Sequence, residues 1–286
     1  MAYPHPGASS GLADLVTRPI KRRIASEVRG LFNDASRGER PVKRRTDGLF
    51  GPRAVAWRVH GDVTSMLVGG IAGLLLQMLH PAVLAGVWDH SNFRDDMQGR
   101  LRRTARFIAL TTYGSREEAE AVIARVRRIH EHVRGALPNG EPYSANDGAL
   151  LAWVHVTETT SFLEAWRRYG EPGMSVADQD RYFAEMAQIG TALGAEPAAH
   201  SRAAARDLIR SMRPHMQCDA RTREVARLVL CQRGVHPLAE RLTVQSAIDL
   251  LPDWARRMHG LPAPPVPPLV RAGTLGIART LRWAFA

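Results

Sequence analysis

An all-α fold is the class this 286-residue sequence predicts, and three features predict it. No run alternates apolar and polar residues cleanly while being rich in β-branched types, so strand signals are nearly absent. From Trp57 onward, apolar residues recur at helical spacing in one segment after another. Those segments are also punctuated by helix starts and stops, such as Ser115 with Glu118 three places on and Gly170 followed by Pro172. Apolar residues are 45% of the chain and charged residues 23%, enough to bury one sizeable core.

The elements follow in order. Residues 1–55 read as a basic N-terminal arm with a peripheral helix near residues 14–32. The polar, turn-rich stretch DASRGERPVKRRTDG marks the edge of the main domain, residues 56–260. Residues 66–87, MLVGGIAGLLLQMLHPAVLAGV, carry no formal charge and are long enough to cross a bilayer. Gln77, His80 and Pro81 interrupt that run, so a buried helix broken or kinked at Pro81 is expected instead. Ser115 starts a helix that Gly135 is positioned to end. Further helices are expected over residues 146–169, 175–194, 202–212, 220–233 and 243–258. LPAPPVPP is an extended linker, and residues 261–286 comprise it and a docking helix at 269–285.

Net charge is +11 and uneven. Residues 18–58 hold twelve Lys/Arg against four Asp/Glu, an excess of eight that could meet phosphate, a membrane surface or an acidic cofactor. No nucleic-acid motif accompanies it, so no nucleic-acid partner is expected. Peripheral membrane contact through residues 12–58 is one expectation. The two cysteines, Cys218 and Cys231, form neither CxxC nor CxxCH, which leaves a zinc ribbon and covalent heme attachment without support. No signal-peptide core is visible, so a cytoplasmic location is expected, with membrane association as a further option.

Candidate chemistry gathers in RVRRIHEHVRG, residues 125–135. Ala119, Val122, Ile123, Val126, Ile129 and Val133 share one arc of a helix, with His130 at its edge and His132 toward solvent. Arg127 and Arg134, three before and four after, would line the same strip. An imidazole between two guanidinium groups suits a flat, apolar, doubly anionic ligand, and heme is of that kind. His155 and Glu158 are a rival pair. At i and i+3 on one face they could reach a single metal, or simply hydrogen-bond each other. Arg100, Arg103 and Thr104 form a compact donor cluster that could polarise dioxygen or bind carboxylates; a solvent-facing basic turn is the plainer alternative. There is no Walker A loop, G-x-S-x-G elbow or HExxH.

The ordered series WRVHGD, LLLQMLHPAVLAGV, HSNF, GRLRRT, RIHEHVRG, YSANDGALLAWVH and YGEP resembles a bacterial branch of the family of MpaB-type and latex-clearing rubber oxygenases. The resemblance spans roughly residues 57–194. It implies a helical fold related to the globin core that holds non-covalent heme b. It also implies His130 as proximal iron ligand, with Arg127 and Arg134 as its flanking arginines. Arg100, Arg103 and Thr104 would face the other side of the heme. Arg103 stands where the rubber oxygenases carry a lysine; a guanidinium stays protonated and does not ligate iron. The family's carboxylate base has no secure counterpart, with Asp89, Asp95 and Asp96 the nearby candidates.

The resulting expectation is a heme b-dependent oxygenase that uses O2 on an apolar, isoprenoid-like small molecule, with an unidentified electron donor. A non-catalytic heme or lipid-binding helical protein, or a non-heme iron enzyme using His155 and Glu158, are the alternatives.

Overall fold

The computed structural model describes residues 10–33, 38–232 and 236–286. Thirteen α-helices follow in chain order among these residues. They are α1 (Ser10–Phe32), α2 (Val55–Val59), α3 (Val63–Gln77), α4 (Pro81–His90), α5 (Met97–Tyr113), α6 (Arg116–His130), α7 (Gly148–Tyr169), α8 (Val176–Leu193), α9 (Arg202–Met212), α10 (Ala220–Leu230), α11 (Pro237–Leu250), α12 (Asp253–Met258) and α13 (Pro267–Phe285). One two-stranded antiparallel ladder, β1 (Arg134–Ala136) with β2 (Pro142–Ser144), joins α6 to α7. The all-α expectation therefore holds.

The core is built on α3 lying along α7. Small residues permit that approach: a Cβ on Gly69 would sit 2.8 Å from both the Phe162 ring and the Ser161 carbonyl oxygen. Around the contact Leu75, Leu79, Trp153 and Leu163 are fully buried. Each such side chain contributes roughly 1.5–3 kcal/mol by leaving water. α8 and α9 flank α7, while α11 and α13 cover the far side of α3. Asp62 fixes the start of α3 by accepting from the Ser65 backbone N–H at 2.8 Å, and its second oxygen receives Arg282 of α13 at 2.7 Å.

The apolar run at residues 66–87 is broken as expected. α3 and α4 meet at 104°, and no single helix among the described residues is long and apolar enough to cross a membrane, although this bent pair passes by length and composition. His80 caps α4, its Nδ1 accepting from the Ala82 N–H at 3.3 Å, with Pro81 at the first helical position.

Three boundaries differ from expectation. α6 ends at His130 rather than near Gly135. Gly135 is not a left-handed cap. It pairs with Tyr143 in the ladder, and a Cβ there would lie 2.7 Å from the Tyr143 hydroxyl. The helix expected over 243–258 is two: α11 starts earlier, at Pro237, and the chain breaks at Leu251 and Pro252 before α12. The residue ahead of a proline is pushed out of the α region, which explains the break. α10 stops at Leu230, and position 233 of the expected 220–233 helix lies outside the described residues.

Candidate functional site

α5 and α6 form a hairpin whose turn is fixed by capping. Ser115 accepts from the Glu118 N–H at 3.1 Å and the Glu118 carboxylate accepts from the Ser115 N–H at 2.8 Å, the capping box read from the sequence. At the other end of α5, Asp96 caps by accepting from the Gly99 N–H at 2.7 Å. α5 and α6 pack against each other, with Arg100, Arg103 and Thr104 near the start of α5 and Arg127 and His130 in the last turn of α6.

The predicted donor cluster on α5 divides. Arg100 is partly buried and donates to the Ser91 hydroxyl at 3.1 Å, and among the described residues it has no carboxylate partner. Burial, helped by the neighbouring Arg103 charge, brings its pKa down to about 10, so it remains a cation at neutral pH. Arg103 is exposed and donates to Asn92 at 3.2 Å and to Asp96 at 3.5 Å. Thr104 is also exposed and returns its hydroxyl to the Arg100 carbonyl at 3.3 Å.

On α6, Ala119 and Ile123 are buried and Val122 and Val126 partly so, matching the predicted arc. Ile129 does not match: it is 52% exposed, because the arc reaches the end of the helix, where no neighbouring element covers it. His130 is partly buried, and its Nδ1 is buried without a hydrogen-bond partner. Burial lowers its pKa, so the ring is neutral at pH 7. His132 is exposed as expected, with Nδ1 against the Arg128 carbonyl at 3.0 Å. Arg127 is exposed and reaches the Ala192 carbonyl of α8 at 3.4 Å. Arg134 is exposed on β1, beyond the end of α6, so the helical strip with His130 midway between two arginines does not form.

His155 on α7 lies against α8. Its ring packs on Gly190, where a Cβ would come within 2.7 Å of it. Its Nε2 is buried without a partner, and burial takes its pKa to about 4 against an opposing hydrogen bond to the Met186 backbone. One turn on, burial raises the Glu158 carboxyl to about 7. The direct His155–Glu158 hydrogen bond expected of a packing pair is not among the hydrogen bonds of the described residues. Among those residues no three His, Cys, Asp or Glu side chains gather to hold a metal ion. Of the candidate carboxylates, Asp89 accepts from the Tyr143 hydroxyl at 2.6 Å, Asp96 is the α5 cap and Asp95 is exposed.

The structure also shows a buried polar chain that the sequence did not single out. His60, in the WRVHGD motif, bridges the Thr112 hydroxyl and the Tyr182 hydroxyl, each at 2.8 Å. Burial takes its pKa to about 3. Glu185 nearby accepts from the first N–H groups of α2, Val55 at 3.1 Å and Ala56 at 2.8 Å. Only the isolated, helix-terminal position of His60 before Gly61 and Asp62 hinted at such a role.

The frame is thus an all-α domain with a helical hairpin that presents a neutral histidine and a half-buried arginine. The family described as "ER-bound oxygenase mpaB/B'/Rubber oxygenase, catalytic domain" matches residues 57–283, and the chain belongs to that family. Membership supports an oxygenase-like function. No curated protein and no solved structure matches the chain.

Proposed function

We propose that this protein is a heme b-dependent oxygenase that acts with O2 on an apolar small molecule, of which an isoprenoid is the leading type. The observation that carries the reading is His130: a neutral imidazole at the end of α6 with a buried Nδ1 that no group among the described residues satisfies. Buried polar atoms in native proteins are ordinarily paired, and an orphan at a candidate site is a reason to look for a missing ligand. The surrounding donors fit heme. His130 would hold its iron, and Arg127 and Arg134, both exposed, would pair with propionates at the solvent edge. When bound, the heme would supply an iron centre for activating dioxygen.

The remaining work falls to the protein's own groups. Arg100, a half-buried cation with no carboxylate partner among the described residues, is suited to stabilise negative charge developing on the co-substrate. Arg103 and Thr104 lie at the outer rim of the same turn and would close that side on ligand binding. Arg103 stays protonated and does not compete for the metal. We place the protein in the cytoplasm, at or near a membrane that could deliver an apolar substrate.

An absorption spectrum of freshly purified full-length protein, oxidised and dithionite-reduced, tests the reading. A Soret band is expected, and His130→Ala should weaken or abolish it; an unchanged spectrum in the variant rejects His130 as ligand. Oxygen uptake with a reductant and a panel of polyenes separates turnover from storage. Retained heme without uptake would favour a non-catalytic heme or lipid carrier. Bound iron without a porphyrin spectrum would turn attention to His155 and Glu158.

A further inference from the structure

The strongest feature outside the hairpin lies on the opposite part of the chain, where α1 packs along α13. Arg18, Lys21, Arg22 and Arg29 line a shallow groove floored by Ala25 and Ala284, with no acidic side chain among its walls. The spacing explains the convergence. Positions 18, 21, 22, 25 and 29 fall on one face of a helix, so the cations stack while Ala25 packs beneath them. Among the described residues no carboxylate pairs with Arg18, Arg22 or Arg29, and Lys21 lies over the Trp283 ring at 5.2 Å from its centroid.

Large apolar side chains stand exposed beside these cations. Trp283 is 40% exposed and Phe285 46%, on either side of the groove-lining Ala284. They are not waiting for the core: α13 is already anchored through buried Ala278 and Thr274, and through Arg282, which donates to Asp62 and, at 2.6 Å, to the Tyr169 carbonyl.

We infer that the α1–α13 face is a docking surface for an anionic lipid bilayer. Cations alone would suit any polyanion. Cations set beside an indole and a phenyl suit a bilayer, where phosphates meet the charges and aromatic rings settle among the headgroups. A nucleic-acid surface would instead call for donors that follow a groove, and α13 offers apolar rings at its end. The membrane expectation drawn from the charge of residues 12–58 is thereby narrowed to one face of α1 and extended to a helix far away in sequence.

Co-sedimentation of the full chain with vesicles tests this without reference to heme or turnover. Binding is expected to phosphatidylcholine vesicles with phosphatidylglycerol as about a third of the lipid and not to phosphatidylcholine alone, and to fall as salt is raised. Replacing Arg18, Lys21, Arg22 and Arg29 together by alanine should lower partitioning by about tenfold or more, since each cation near an anionic surface adds several-fold. Trp283→Ala with Phe285→Ala should weaken binding while leaving its salt dependence. A control that removes Arg206, Arg223 and Arg227, exposed on α9 and α10, should bind like the parent. Equal binding to neutral vesicles, salt-independent binding, or an equal loss in the control overturns the proposal. So does tighter binding to duplex DNA than to the anionic vesicles. The salt series uses the unaltered protein, so the test stands even if a variant folds poorly.

Discussion

His60 and His130 are both histidines withdrawn from water, and they are held in opposite ways. His60 is bonded at both ring nitrogens, to Thr112 and Tyr182, and its ring stands edge-on to Phe162 and Tyr182. His130 keeps a buried nitrogen with no partner among the described residues, at the last residue of α6. The difference separates an imidazole that the fold uses from one that the fold merely carries. A satisfied polar network stabilises and specifies its surroundings, whereas an orphan costs free energy unless something else completes it.

The largest expected effect follows at His60. Leucine has about the right size but leaves two buried hydroxyls, on Thr112 and Tyr182, without the partner they now share. His60→Leu should therefore lose about 3 kcal/mol of stability, read from urea denaturation at neutral pH. A loss below about 1 kcal/mol would mean that the network relaxes and that His60 is not the structural member of the pair.

How much of this contrast was legible in the sequence depends on distance along the chain. Local signals were read well: the Ser115–Glu118 capping box, the break at Pro81, the left-handed Gly194 that ends α8 and the outward turn of His132 all lie within a few residues of their cause. Gly135 misled because glycine answers two needs. It can end a helix, and it can let an aromatic ring approach the backbone, and here Tyr143 makes the second use. Arg134 was misplaced for the same reason. The bonds of His60 were invisible because Thr112 and Tyr182 are 52 and 122 residues away. The half-buried state of His130 was readable from the edge of an apolar arc, but the missing partner of Nδ1 was not. The exposure of Ile129 was missed too, because periodicity says which face a residue occupies and not whether anything packs there.

A second prediction places Glu158 between the two histidines in size of effect. Its carboxyl titrates at about 7 in the folded protein against an ordinary 4.5. The unfolded chain releases that proton first, so this group's share of stability is present below the ordinary value and is lost as pH rises toward 7. Glutamine cannot ionise and escapes the loss. Glu158→Gln should thus gain about 2 kcal/mol relative to the parent between mildly acidic and mildly alkaline pH, since one pKa unit is worth about 1.4 kcal/mol. His60 and His155, which act in the opposite sense as pH falls below 6.5, cancel in the difference between the two proteins. A gap that stays constant with pH would show that Glu158 is already ionised in the folded protein over that range.

The smallest expected stability change is the one that bears hardest on function. His130→Leu removes an unsatisfied nitrogen, and no hydrogen-bond partner of Nδ1 among the described residues is left stranded. Swapping an orphan polar group for an apolar one of similar shape is close to neutral, so ligand-free protein should unfold within about 0.5 kcal/mol of the parent. The same substitution should remove heme absorbance. A residue whose loss is silent in the empty fold and decisive for the ligand is one that binding, not folding, has kept at that position. If His130→Leu instead destabilises the ligand-free protein as much as His60→Leu does, the two imidazoles are alike after all, and the end of α6 is a piece of scaffold.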